Sequence, residues 1–256
     1  MAGTLHVIKK AGLRPPPTQP APRPVAFDLR HIPQYLPIDW YDTYFAGIPA
    51  DPRRLRRAVP VLLARMRLGG SIIHAAKLLG LPWAAGRFAV VTIADQLRDH
   101  PGQQAAFDTA LDALANALHT ADHRIDYGAR RDALVTWSLD VDTWRDMTID
   151  IVRTYRGKGY AQIDWADRKR LLASVWIWTR VTEGEHHFAP LIRPRPDRPK
   201  PGSDLSTYVH SLWPFMNAAC GHDHYAELRP RLDHYADERA RHIDTACPRA
   251  ANPHIA

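Results

Sequence analysis

Apolar residues recur at helical spacing along most of this chain. After Asp51, the residues Leu55, Val59, Leu62, Leu63 and Met66 share one face of a helix that runs to Leu68. Asp51 ahead of Pro52 is a start signal, an N-cap acid before proline at the first helical position, and Gly69-Gly70 is the stop. Pro60 within it predicts a kink or a later start. A short helix over 71–79, a turn at Gly80-Leu81-Pro82 and a helix over about 83–97 follow. Pro101-Gly102 marks a break, after which Phe107, Leu111, Leu114 and Leu118 define another amphipathic helix. Further helices are expected over about 127–138, 141–156 and 165–182, the last buried through Leu171, Leu172, Val175, Trp176 and Trp178. Two more, over about 203–218 and 224–246, close the chain, with Pro230 delaying the second. Upstream, Tyr35, Leu36, Trp40, Tyr41, Tyr44 and Phe45 form an aromatic cluster at helical spacing that should pack into a core. The alternation that marks strands is weak throughout. The pattern predicts an all-α fold.

Proline divides this pattern. Six prolines between Arg14 and Pro24, without apolar periodicity, make residues 1–30 a disordered, extended arm. Residues 189–202 hold five prolines and four basic residues and predict an exposed linker. Between and beyond these lie a module over 31–120, a helical region over 121–188 and a C-terminal helical region over 203–256.

Charge adds position to this organisation. The formal net charge is +7, yet from Pro52 to Ala94 there is no Asp or Glu, while eight basic residues fall there. These are Arg53, Arg54, Arg56, Arg57, Arg65, Arg67, Lys77 and Arg87, so the remainder of the chain is close to neutral. A positive block of this kind attracts phosphate backbones. No apolar run approaches the length of a membrane span, the N-terminus lacks a secretory pattern, and Cys220 and Cys247 make no disulfide framework. A cytoplasmic protein without a membrane association is expected.

Within the basic block, Ser71 to Val91 has the spacing of a helix-turn-helix. Ala76 supplies the small residue where two helices cross, and Gly80 the turn residue that tolerates a positive φ. Ile72, Ile73, Leu79 and Leu81 form the shared apolar core, and Pro82 opens the second helix. Six positions after the glycine, where a branched apolar residue is usual, stands Gly86, so Phe88, Val90 and Val91 are expected to anchor the helix in a shifted register. The second helix would enter the major groove of double-stranded DNA by its N-terminal part, with Trp83, Ala84 and Arg87 facing bases and Arg87 gripping guanine bidentately. The preceding helix would offer phosphate contacts from Arg53, Arg54, Arg56, Arg57, Arg65 and Arg67, not all of which can point one way, with His74 and Lys77 touching the backbone.

The run from Tyr35 to Tyr41 (YLPIDWY), the arginine helix, and GGSIIHAAKLLGL resemble the C-terminal part of TniQ-like transposition accessory proteins. Asp126-Tyr127 with Arg130-Arg131, and Asp167 to Arg170 followed by Ala173 to Thr182, are similar to such proteins as well, and the resemblance covers about 32–190. It implies a non-catalytic adaptor of a mobile element that binds DNA and contacts transposase or other mobile-element proteins.

Other chemistry is sparse. No P-loop, GxSxG, HExxH or Rossmann glycine pattern occurs. Cys220-Gly-His-Asp-His224, with His186, His187, His210, His234, His242 and Cys247, offers soft and imidazole ligands without the paired spacing of a zinc finger. Glu183, Glu185, His186 and His187 place carboxylates beside imidazoles, a combination suited to acid–base work or to the polar end of the tryptophan helix capped by Gly184. The expected reading is a DNA-binding protein, not an enzyme, with no cofactor and no metal. A helical scaffold meeting an acidic partner protein, and a metal-dependent hydrolase built on the C-terminal histidines, are its alternatives.

Overall fold

The computed structural model describes residues 27–98, 100–121, 124–154, 160–162, 167–191 and 223–246. A 3-10 turn at Leu29–His31 precedes α1 (Ile38–Tyr44), α2 (Pro52–Leu68), α3 (Ile72–Leu78), α4 (Trp83–Arg98) and α5 (Pro101–Thr120). Then come α6 (Tyr127–Ala133), α7 (Val141–Thr148), strands β1 (Val152–Thr154) and β2 (Tyr160–Gln162), α8 (Asp167–Thr182), a second 3-10 turn (His186–Phe188) and α9 (Asp223–Ala246). The fold is all-α, with one short antiparallel pair in which Val152 faces Gln162.

That pair corrects the helix expected to reach residue 156. The helix stops at Thr148, where Ile151, Val152 and Thr154 begin a β-branched run ahead of Gly157 and Gly159. The arm expected over 1–30 and the linker over 189–202 need correcting at their inner ends. Phe27 is fully buried, Asp28 caps the first 3-10 turn, and Ala189 and Leu191 lie in the core. Residues 1–26, 192–222 and 247–256, including the helix expected over 203–218, lie outside the described residues.

Local signals set the helix ends. The Asp51 carboxylate accepts from the backbone N–H of Arg53 at 2.8 Å, and Gly69 closes α2 with φ at 65°. The Ser71 hydroxyl caps α3 through the N–H of His74, and Pro101 sits in the first turn of α5, where its missing donor costs nothing. Pro60 neither ends nor delays α2. The carbonyl it cannot bond, that of Arg56, accepts from the N–H of Leu36 at 2.8 Å, and the Arg56 side chain returns a bond from Nε to the Leu36 carbonyl at 2.6 Å. The proline therefore becomes the docking point for the segment leading into α1. Pro230 likewise lies inside α9 rather than ahead of it.

One hydrophobic cluster runs from Phe27 to Ile243. Helices α2, α3 and α4 pack against one another, and α5 closes over α1, α2 and α4, with Phe45 against Phe107 at 5.8 Å. The second half centres on α8, whose Val175, Trp176, Ile177 and Trp178 are all buried, with α9 laid along it through Leu228, Leu232 and Ala236. Polar ties fix that pairing. Trp176 donates from Nε1 to Asp233 at 2.8 Å, and buried Arg130 on α6 grips Asp244 with Nε and Nη2 while donating to the Val181 carbonyl.

Candidate nucleic-acid interface

The turn between α3 and α4 is fixed from within and from outside. Gly80 adopts φ of 70°, its N–H donates to the Lys77 carbonyl, and the N–H of Leu81 donates to the Ala76 carbonyl, which together make a Schellman closure. Buried Gln34 donates from Nε2 to the Leu79 carbonyl at 2.7 Å and lies so near that a Cβ on Gly80 would meet it at 3.1 Å. Pro82 stands just before α4, its carbonyl accepting from Ala85 and Gly86. The direction in which α4 leaves α3 is thus specified by backbone bonds and a side chain from outside the pair.

Gly86 then sets the register. A Cβ on Gly86 would lie 2.6 Å from the Cβ of Ala76, inside any permitted contact, so the two helices cross at two small residues. The expected shifted anchoring by Phe88 and Val91 is therefore corrected. Gly86, Ala89, Val90, Ile93 and Leu97 are the buried positions of α4, while Phe88 is 67% and Val91 43% exposed. Phe88 and Val91 instead share the outward face with Trp83 (55% exposed), Ala84 and Arg87. Ile73, expected in the shared core, is also exposed, whereas Leu79 and Leu81 are buried and Ile72 half-buried as expected.

Of the remaining expected contacts, His74 and Lys77 are exposed on α3 and Arg53 is exposed on α2, with Arg65 half-buried. Others are committed inside the fold. Arg57 clasps Glu185, Nε to Oε1 at 2.6 Å and Nη2 to Oε2 at 2.5 Å. Arg56 bonds the Leu36 carbonyl and lies over the Tyr35 ring, Arg67 donates to the Phe27 carbonyl at 2.9 Å, and Arg54 lies 3.7 Å from Asp51. The side chains left facing outward near the crossing are Ile73, His74, Lys77, Leu78, Trp83, Ala84, Arg87, Phe88 and Val91. Phe88 and Val91 were hidden in the sequence because an apolar residue beside Ala89-Val90 looks like core. The readable signal was their spacing from Ala84, at i+4 and i+7.

The acid–base constellation resolves into a tie. Glu185 is only 8% exposed, is held by Arg57, and has His187 Nε2 at 3.4 Å. Burial and the neighbouring His187 hold His186 below the usual imidazole range. A carboxylate locked in a bidentate ion pair is poorly placed to take a proton from a substrate. Among the described residues, no three His, Cys, Asp or Glu side chains are grouped to hold a metal; Cys220, His210, His222 and Cys247 lie outside them. Nor, among those residues, is any helix long and apolar enough to cross a membrane. No family model, curated protein or solved structure matches this chain.

Proposed function

We propose that the protein binds double-stranded DNA, with α3 and α4 acting as a helix-turn-helix and the exposed first turns of α4 entering the major groove. The observation that carries this is the Ala76–Gly86 crossing, which holds α4 with Trp83, Ala84 and Arg87 outward in a stretch without Asp or Glu. Lys77 and Arg87, with Arg65, supply the phosphate attraction, a smaller set than the eight basic residues of the block. The protein would serve as a regulator or as an accessory or targeting factor of a mobile element, without catalysis of its own. The exposed apolar side chains Trp83 and Phe88 favour a second reading, a helical scaffold that docks an acidic partner protein through the same face.

A salt series on labelled duplex DNA separates the two. Three neutralised phosphates would give a log–log slope of roughly −3 at most, and Lys77→Ala would lower its magnitude by about one. Arg87→Ala would remove sequence preference. Absence of duplex binding at low salt, where electrostatics are strongest, would leave the scaffold reading.

A further inference from the structure

We infer that Phe88, flanked by Ala84 and Val91, reads thymine C5-methyl groups in the major groove beside a guanine taken by Arg87. This rests on the DNA-binding reading and goes beyond it by naming what the groove must contain. Ala84, Phe88 and Val91 recur at i, i+4 and i+7 on the outward face of α4, and none carries a hydrogen-bonding side chain. Phe88 is two-thirds exposed, the most exposed of the large apolar side chains described. A stripe without donors or acceptors cannot recognise the polar edges of bases. The apolar group that major-groove base edges display is the thymine methyl, and phenylalanine and alanine are among the side chains that meet it.

The neighbouring chemistry supports a nucleic acid over a protein. Arg87 precedes Phe88 and presents five donors in a planar fork suited to the N7 and O6 of guanine. Lys77 lies exposed on the adjoining helix, and the nearest acid along α4, Asp95, is paired with Arg98. The exposed charges of α3 and of α4 before Asp95 are therefore positive, complementary to a polyanion. From Ala84 to Val91 the helix rises about 10 Å, or about three base-pair steps. The recognised core should thus hold at least one thymine within a few base pairs of a guanine.

The test uses the full chain. Duplexes enriched from a random-sequence library are resynthesised with deoxyuridine in place of each thymine in turn, which deletes only the methyl group. Wild-type protein should lose about fourfold in affinity for each contacted methyl removed. Phe88→Ala should bind the thymine duplex more weakly and discriminate it from the uracil form less than wild type does. Its circular dichroism should be unchanged, since the side chain is exposed. Enriched duplexes bound equally well with uracil throughout, or discrimination undiminished in Phe88→Ala, would overturn the inference and leave DNA binding standing. Failure to bind any duplex at low salt would overturn both. If sedimentation then showed self-association that Phe88→Ala abolishes, the face would belong to a protein contact.

Discussion

Gly86 on α4 passes Ala76 on α3 so closely that a Cβ on the glycine would stand 2.6 Å from the alanine Cβ. In most helices Gly→Ala gains about 1 kcal/mol through propensity. Here overpacking of about 1–3 kcal/mol outweighs it. Gly86→Ala should therefore lower stability in chemical denaturation, and it should weaken the proposed DNA binding by turning α4 away from α3. Combined with Ala76→Gly, which clears the contact, it should recover most of both. Additive losses in the double variant would show that the crossing is not what couples the two positions.

Arg57 and Glu185 give a second test, one that separates folding from recognition. Truncating Arg57 strands a buried carboxylate, which for a fully enclosed pair costs about 3–5 kcal/mol. Arg57 is itself 46% exposed, so water reaches the vacated site and a loss nearer 2 kcal/mol is expected. Arg57→Ala/Glu185→Gln should restore much of that stability. On the proposed DNA binding, the slope of affinity with salt should stay unchanged in both, whereas Lys77→Ala should alter the slope and spare the melting temperature.

Leu36 and Arg56 exchange hydrogen bonds at the carbonyl that Pro60 leaves open. Arg56→Ala removes the donor to the carbonyl of fully buried Leu36, which should cost about 1–3 kcal/mol. Arg56→Lys keeps the charge but not the Nε–H geometry and should recover only part of it. Equal stability of all three proteins in urea unfolding would show that water replaces the side chain there.

Glu183 contributes pH dependence. Burial holds its carboxyl above the ordinary range, against the opposing pull of Arg180, Arg56 and Arg130. The folded state therefore holds this proton more tightly than the unfolded chain does. Stability falls as pH rises from the unfolded value of about 4.3 through the folded one, and the penalty is complete above it. Glu183→Gln should raise the melting temperature near neutrality, leave it unchanged at about pH 3, where both states are protonated, and flatten the profile between. A melting temperature raised equally at both pH values would assign the gain to something other than ionisation.

What the sequence by itself determined is what neighbouring residues decide among themselves. The cap at Asp51, the left-handed turns at Gly69 and Gly80 and the apolar face of α5 all act within a few residues of their own backbone, and each lies where the pattern predicts it. Tertiary structure decided the rest. Arg57 meets a partner 128 positions away, so no local spacing could separate it from the arginines left outward. Gly86 is a gap in an apolar pattern until Ala76 fills it, and only then do Ala89 and Val90 turn inward and Phe88 outward. A helix carries its periodicity in its sequence, but which side is inside depends on how closely another backbone approaches.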